Sequence, residues 1–407
     1  MKKAELLAPA GNLSKLKTAI YFGADAVYIG GKSFSLRALS ENFTREEMQE
    51  ALYFAHKRGK KVYVTVNIFA RNADLPAVSE YFGFLEEAGA DAVIVTDPGL
   101  IAICKKTAPK LEIHLSTQAN TTNYAAVGFW ADQGVKRVIL AREISIDEIA
   151  HIRKNISEDV ELEAFVHGAM CISYSGRCLL SNYLNGRDSN RGACVQACRW
   201  NYDIREHDKG GDWLSVEEDA RGTYILNSKD LNMISHLDKL LGAGVSSLKI
   251  EGRMKSEYYL ATVINAYRRA IDEFYEKGAY YAQNPLYEAE VRKTFHRAFT
   301  TAYMLGNNEN TVNYADSQSQ GEAVFVACVK GYDDKEGYAE IEMRNRFKVG
   351  DTLEVLSPTD NFLKEIPVQR LENEEGEAVE DAKLVQQKLR LYTPIKLSAG
   401  DILRRAE

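Results

Sequence analysis

The sequence predicts an α/β protein: a (β/α)8 TIM-like barrel with a cysteine-rich insertion, followed by a small antiparallel β-barrel domain. Short apolar runs rich in β-branched residues alternate with segments of helical period, which is typical of repeated βα units. Four cysteines cluster between residues 171 and 198. From residue 321 onward the hydrophobic period changes to two, which indicates short antiparallel strands.

Eight apolar runs are the candidate barrel strands. Several segments between them end in glycine, the residue that most readily takes the left-handed conformation that ends a helix. A ninth run, TYILNSKDL, follows an irregular stretch and is assigned to the insertion. An open doubly wound sheet is the alternative, but no glycine-rich dinucleotide motif follows the first strand. The eight runs begin near Leu6, Ala26, Val62, Ala92, Glu112, Arg137, Leu162 and Ser247.

The changes of pattern divide the chain into three parts. Residues 1–277 form the predicted barrel, with the insertion at 171–222. Residues 278–320 lose periodicity and are rich in Asn, Gly, Gln and Tyr, which predicts a linker. Residues 321–407 carry the repeated turns KVGD and SAGD and form the predicted β-barrel domain.

Composition predicts a cytoplasmic protein without a membrane segment. The chain has 407 residues, and none of its apolar runs approaches the roughly 20 residues that a membrane helix needs. Its net charge of -7 excludes a nonspecific nucleic-acid coat, so any RNA contact must be a local basic patch.

The cysteine cluster predicts a metal centre. Its spacing is Cys171-x6-Cys178-x15-Cys194-x3-Cys198, and cytosolic cysteines rarely form stable disulfides. Four thiolates suit either an iron-sulfur cluster or zinc. Only the last two cysteines form the close pair that structural zinc sites use twice, which favours a 4Fe-4S cluster over zinc. The cluster starts where the seventh strand ends, at the rim where barrel active sites lie.

Polar residues at other strand ends are candidates for the same site. Lys249 and Glu251 alternate on the eighth strand and, with His167, are candidate catalytic groups, although a structural ion pair and a structural histidine explain them equally well. Arg253 lies at the rim, where it would meet an anion, and Gln118 and Asn120 follow the fifth strand.

A local positive patch lies among the cysteines. Arg187, Arg191 and Arg199 are candidate RNA-binding residues, and Tyr183 and Trp200 lie nearby for stacking on bases. The alternative is a solvated loop whose arginines offset the negative charge of the thiolates.

The stretch EAFVHGAMCISYSGRCLLS, from Glu163 to Ser181, resembles the signature of the peptidase U-32 family, the collagenase-like peptidases. The segments APAGN, NSKDL and KIEGRMKS resemble further motifs of that family, and the resemblance covers the whole chain. It is closest to the members that hydroxylate tRNA.

That resemblance implies oxygen-independent hydroxylation of the wobble uridine of tRNA to 5-hydroxyuridine, with an iron-sulfur cluster and with prephenate as the hydroxyl source. The four cysteines occupy positions that look like the family's cluster ligands. Prephenate carries two carboxylates, so Arg253, Arg142 and Lys249 are our candidate anchors for it. Whether the chain acts as a homo-oligomer or with a paired paralogue is left open.

Two other functions are compatible with the sequence. The family's older name implies a metal-dependent collagenase-like peptidase, although neither a Gly-x-Ser-x-Gly nor a His-Glu-x-x-His motif is present. The third is a zinc-stapled RNA-binding module without catalysis.

Overall fold

The computed structural model describes residues 3–36, 41–200, 218–219, 222–223, 228–306 and 320–406. Strands and helices alternate in the N-terminal part, as the sequence predicts. The strands are β1 Glu5–Pro9, β2 Ala26–Gly30, β3 Lys61–Val66, β4 Ala92–Val95, β5 Glu112–Leu115, β6 Arg137–Ile139, β7 Glu161–Ala169, β8 Glu218–Asp219, β9 Gly222–Thr223, β10 Asp230–Asn232 and β11 Ser247–Ile250. The helices are α1 Leu13–Tyr21, α2 Arg45–His56, α3 Leu75–Glu87, α4 Pro98–Thr107, α5 Tyr124–Asp132, α6 Ile146–Lys154, α7 Leu180–Asn185, α8 Leu237–Gly242, α9 Glu257–Lys277 and α10 Pro285–Arg292.

Eight parallel strands close into a barrel. They are β1 to β7 and β11, and pairing of β11 with both β1 and β7 completes the ring. These are the eight strands that the apolar runs predict, so the predicted barrel is confirmed. Helices α2 and α6 start at the capping boxes of Thr44 and Ser145, whose side chains satisfy backbone N–H groups of the first turn.

The ninth apolar run lies outside the ring. Its described end, β10, pairs antiparallel with the last residues of β7, with Asp230 opposite Ala169. Strand β12, Phe299–Thr300, pairs parallel with β10 in turn. The insertion between β7 and α8 therefore leaves the barrel at the C-terminal end of β7, above the mouth.

The C-terminal strands form an antiparallel half-barrel. The strands are β13 Ala323–Asp333, β14 Tyr338–Met343, β15 Phe347–Lys348, β16 Thr352–Leu356, β17 Glu365–Pro367, β18 Leu371–Glu372, β19 Asp381–Ala382, β20 Lys388–Tyr392 and β21 Ile402–Ala406. The sheet has the order β17-β16-β21-β13-β14-β20-β18, and the edge strands β17 and β18 do not pair with each other in the described residues. A separate ladder joins β15 to β19.

The segment predicted as a linker contains regular structure. Helix α10 and strand β12 both lie within residues 278–320, and α10 packs against α9. Arg404 of the half-barrel is fully buried and pairs with Glu290 of α10 at 2.6 Å. The prediction of a plain linker is therefore corrected for residues 285–292, because a buried ion pair fixes them between the two domains.

No helix in the described part of the chain has the length and apolar character needed to cross a membrane.

Candidate active site at the barrel mouth

A cavity of ≈ 250 Å³ opens at the C-terminal ends of the barrel strands. Its floor is formed by residues at or next to the ends of β2 to β7 and β11, among them Tyr28, Thr65, Ser116, Phe165 and Lys249. Its roof is formed by the insertion, residues 171–198. Active sites of (β/α)8 enzymes lie at this end of the barrel.

All four clustered cysteines line this cavity. Cys194 is exposed, whereas Cys171, Cys178 and Cys198 are half-buried. Thiolates are suitable ligands for an iron-sulfur cluster or zinc. Among the described residues, however, no three Cys, His, Asp or Glu side chains stand at metal-binding distances. The donor set therefore fits a thiolate-bound group, while its ligand geometry is not formed.

Local hydrogen bonds give Cys171 and Cys178 different pKa values. Burial raises the pKa of the Cys171 thiol. Burial also acts to raise the pKa of Cys178, but hydrogen bonds from the Ser173 hydroxyl and from backbone N–H groups outweigh it and lower that pKa. Cys178 is thus the more readily ionised of the two thiols.

Glu143 holds the loop between these two cysteines. The backbone N–H and the hydroxyl of Ser175 donate to the two oxygens of Glu143, both at 2.6 Å. Ser175 is buried and has the left-handed conformation, with φ 45° and ψ 32°. A non-glycine residue pays a free-energy penalty there, which the two charge-assisted hydrogen bonds offset.

A second contact holds the other half of the roof. Arg191 donates to Asp74 through both terminal nitrogens, at 2.8 and 3.1 Å, and to the Phe69 carbonyl at 2.9 Å. The Arg191 guanidinium lowers the pKa of Asp74 to about 2. The insertion is therefore tied to the loop after β3 as well as to the loop after β6.

The floor contains a buried network of charges. Lys249 donates to Glu163 at 2.7 Å, and Arg137 donates to the other oxygen of Glu163 at 3.1 Å. Burial opposes the ionisation of Glu163, but Lys249 and then Arg137 outweigh it, so its pKa lies below the usual value. Arg137 also contacts Glu5 at 2.5 Å. Lys249 is therefore one member of an extended ion network.

Glu251 and Tyr28 face the cavity above this network. The Tyr28 hydroxyl donates to Glu251 at 3.1 Å and to the Ile250 carbonyl at 3.0 Å. Burial and then the Glu251 carboxylate raise the pKa of Tyr28 well above its usual value. The phenol therefore stays protonated and can donate a hydrogen bond in the cavity.

Arg253 lies deeper than its predicted place at the rim, with only 4% of its surface exposed. One terminal nitrogen donates to Ser35 at 2.7 Å and to Thr65 at 3.1 Å. The other donates to Asn42 at 2.7 Å. These neutral acceptors fix the guanidinium in the cavity wall.

Arg142 is the second guanidinium of the cavity. It stacks over the Phe165 ring at 3.9 Å and donates to the Ala169 carbonyl at 3.1 Å. In the described part of the chain no carboxylate lies within ion-pair distance of Arg142, and its Nε is buried without a hydrogen-bond partner. Gln118 also lines the cavity, where its amide oxygen accepts from Thr96 at 3.5 Å.

Comparison with known families decides the relationship. Residues 11–314 match peptidase family U32, and residues 322–404 match the peptidase family U32 C-terminal domain. This chain belongs to peptidase family U32.

Relatives in that family carry different names. The chain is 40% identical to tRNA hydroxylation protein P1 of Bacillus subtilis (strain 168), over 100% of this chain and 96% of that protein. It is 39% identical to tRNA hydroxylation protein P of Escherichia coli (strain K12), over 93% of this chain and 91% of that protein. A collagenase of Porphyromonas gingivalis is 32% identical, over 96% of this chain and 94% of that protein.

Three predicted site residues lie elsewhere or have another partner. His167 does not line the cavity, because a bulge in β7 pairs Phe165 with Lys249 but His167 with Ile250 and so reverses the alternation. Its ring lies 5.5 Å from that of Tyr267 on α9, and burial lowers its pKa to about 3. It is a neutral packing residue, not the predicted catalytic group.

Asn120, Arg187 and Arg191 lie outside the cavity lining. Asn120 does not line the cavity; it has the left-handed conformation that ends the turn Thr117–Ala119. Arg191 is bound to Asp74, which gives it a structural role, and its role in RNA binding stays a prediction. Arg187 is exposed as predicted. The Arg199 side chain lies outside the described residues.

Sequence reasoning missed three functional neighbours, Glu163, Arg137 and Tyr28, and the contact that a fourth residue, Glu143, makes. Glu163 and Arg137 are charged residues within apolar strands, and that pattern is a usable signal for a buried ion network. Glu143 stands at a strand end, but its contact with Ser175 spans 32 residues and no local pattern reveals it. Tyr28 lies in an apolar strand, and nothing in the sequence distinguishes it from a packing residue.

Proposed function

We propose that this chain is a tRNA-modifying enzyme that hydroxylates the wobble uridine to 5-hydroxyuridine. In this proposal prephenate, and not molecular oxygen, supplies the hydroxyl group, and Cys171, Cys178, Cys194 and Cys198 hold a 4Fe-4S cluster. The names of the two relatives near 40% identity, which cover nearly the whole chain, support tRNA hydroxylation. When bound, the cluster would supply the electron transfer that oxidation of a carbon centre requires.

The observation that carries the proposal is Arg142. A half-buried guanidinium in a cavity needs an anion, and the described residues place no carboxylate beside it. Prephenate has two carboxylates, and a guanidinium binds a carboxylate through two parallel hydrogen bonds. Arg142 is therefore the proposed anchor of the co-substrate.

The chain's own groups can handle the proton of the reaction. Hydroxylation at carbon 5 exchanges a hydrogen for the hydroxyl of prephenate, so that carbon 5 loses two electrons and the prephenate carbon that gives up its hydroxyl gains them with a proton. A base must therefore remove the proton from carbon 5 at some stage. Glu251 is a carboxylate in the cavity wall, and the Tyr28 hydroxyl holds one of its oxygens. We assign proton removal to Glu251 and its orientation to Tyr28. Lys249 keeps the floor charged and fixed through Glu163.

Mass spectrometry of tRNA tests the proposal. A strain lacking this protein is complemented with the wild type, with Cys178→Ser, with Arg142→Met or with Cys328→Ser, whose thiol lies outside the cavity. We expect 5-hydroxyuridine with the wild type and with Cys328→Ser only. Supplying prephenate with a heavy-oxygen hydroxyl should label the nucleoside. Unlabelled 5-hydroxyuridine would refute the hydroxyl source, and normal modification in Cys178→Ser would refute the role of the cluster.

The second candidate function, peptidase activity, is supported by the name of the collagenase relative. Among the described residues no histidine lines the cavity, so the pairs of nucleophile and imidazole base that many hydrolases use are not formed there. Protein purified without air should be brown and contain iron and sulfide. A colourless protein with one zinc that cleaves gelatin would favour the peptidase, and the same protein without cleavage would favour a zinc-stapled RNA-binding module.

A further inference from the structure

Helix α7 of the insertion exposes large side chains beside the cavity. Tyr183 is 85% exposed and Leu179 is 76% exposed, although both are large hydrophobic residues. They are four residues apart, and the Tyr183 N–H donates to the Leu179 carbonyl at 2.9 Å, so both project from one side of the helix. Trp200, 40% exposed, follows the turn Ala197–Arg199 that packs against α7.

Exposed arginines flank this helix at both ends. Arg177 precedes α7 and Arg187 follows it, and neither has a carboxylate within ion-pair distance in the described part of the chain. Residues 171–200 contain four arginines and one aspartate, so this stretch has a formal charge of +3 within a chain of net charge -7. That aspartate, Asp188, accepts from the Asn190 N–H at 2.9 Å. We call Arg177, Leu179, Tyr183, Arg187 and Trp200 the insertion platform.

The insertion platform and the cavity share one backbone. Cys178, Leu180 and Ser181 line the cavity, while the neighbouring Arg177 and Leu179 face solvent. A molecule lying on the outer side of α7 can therefore extend into the cavity past the cysteines.

The platform is held in place before any ligand binds. The Ser181 hydroxyl donates to the Arg187 carbonyl at 2.7 Å and accepts from the Val195 N–H at 3.1 Å. The contact of Arg191 with Asp74 fixes the following turn to the barrel. A ligand on the platform therefore does not have to order this segment, which favours tight binding.

We propose that the insertion platform stacks on unpaired bases of an RNA loop next to the target nucleotide, so that the substrate is single-stranded there. This inference rests on the proposed function. Exposed aromatic rings next to arginines that have no acidic partner among the described residues suit single-stranded nucleic acid, whose bases stack on rings while its phosphates bind guanidinium groups. Protein interfaces are also enriched in Tyr, Trp and Arg. The choice of RNA over a protein partner therefore rests on the proposed function and on the formal charge of +3 of residues 171–200.

Binding of a synthetic RNA hairpin to the holoprotein tests this inference. Fluorescence anisotropy compares a hairpin whose loop carries the uridine with a duplex of the same sequence. Tyr183→Ala should raise the Kd for the hairpin by about tenfold or more, and leave the Kd for the duplex unchanged. Arg187→Ala should make the plot of the logarithm of the hairpin binding constant against the logarithm of salt concentration less steep, by about 0.7 in slope, because one phosphate contact is lost. Tyr280→Ala and Arg346→Ala alter an exposed tyrosine and an exposed arginine away from the mouth and should bind normally.

The outcomes separate this inference from the function on which it rests. Normal hairpin affinity in both Tyr183→Ala and Arg187→Ala would overturn the platform, while tRNA hydroxylation by the wild type would still stand. If the wild type hydroxylates no tRNA and binds no hairpin, the proposed function and the platform both fail. If the platform variants lose affinity for a gelatin peptide and not for RNA, the surface docks protein and the inference is wrong.

Discussion

Ser175 donates two hydrogen bonds to the Glu143 carboxylate, one from its backbone N–H and one from its hydroxyl, and both have a donor–acceptor distance of 2.6 Å. Since Ser175 lies between Cys171 and Cys178, these two hydrogen bonds set the shape of the loop that carries both thiols. Its left-handed conformation makes the loop dependent on them.

Glu143→Gln should loosen this loop, because an amide has a single acceptor oxygen and its NH2 group cannot accept a hydrogen bond from Ser175. We expect the free energy of unfolding to fall by about 1–3 kcal/mol. Hydrogen exchange of the Ser175 amide should become faster, and the protein should retain less iron after purification. Glu80→Gln, at an exposed position on α3, is the control. Unchanged exchange at Ser175 would show that the loop holds its shape without Glu143.

Lys249→Met should destabilise the barrel floor, because it leaves Glu163 buried with fewer partners. Glu163 is fully buried, and removal of one member of a buried ion pair costs about 3–5 kcal/mol. The double variant Glu163→Gln with Lys249→Met should recover part of that loss. Chemical denaturation measures all three proteins.

Lys60→Met provides the comparison for this pair. Lys60 pairs with Asp25 at 3.2 Å, and both side chains are partly exposed, so its loss should cost less than about 1 kcal/mol. A similar small loss in Lys249→Met would mean that Arg137 alone is enough to neutralise Glu163.

His167 should make the stability of the barrel depend on pH. The unfolded chain takes up a proton near the usual pKa of 6.5, whereas the folded chain resists it down to about 3. Since the unfolded state binds more protons in this range, the stability that neutral His167 contributes is lost as the pH falls from 6.5 toward 3.

The variant His167→Gln removes this proton uptake. Between pH 6.5 and about 5.5 the wild type should lose roughly 1 kcal/mol more than the variant. His151→Asn, on the exposed side of α6, should keep the wild-type slope. Because His167 lies outside the cavity, the His167→Gln enzyme should also have the kcat of the wild type. A loss of kcat without a loss of stability would show that His167 takes part in catalysis.

The sequence reveals what depends on local periodicity. All eight barrel strands follow from apolar runs, and the gathering of the four cysteines at the mouth follows from their place after β7. The bulge that turns His167 outward is a matter of register between β7 and β11, which no run of residues encodes. Likewise the sequence shows Arg191 without a neighbouring acidic partner, whereas the fold places Asp74, 117 residues away in the chain, within hydrogen-bond distance of it. Long-range pairing, and not composition, determines where the side chains of His167 and Arg191 lie and what they contact.

Gly30→Ala should displace Arg253 from the cavity wall. A Cβ at residue 30 would lie 2.6 and 2.7 Å from the two terminal nitrogens of Arg253 and 2.7 Å from the Ser35 hydroxyl. The guanidinium cannot withdraw without losing its bonds to Ser35 and Asn42, so the cost should be about 1–3 kcal/mol of unfolding free energy. Gly83→Ala is the matched control, because no atom lies within 4 Å of its added Cβ and alanine favours helix α3 by roughly 0.5–1 kcal/mol. Thermal and chemical denaturation compare the two variants, and a Gly30→Ala protein as stable as the wild type would show that Arg253 has room to move within the cavity.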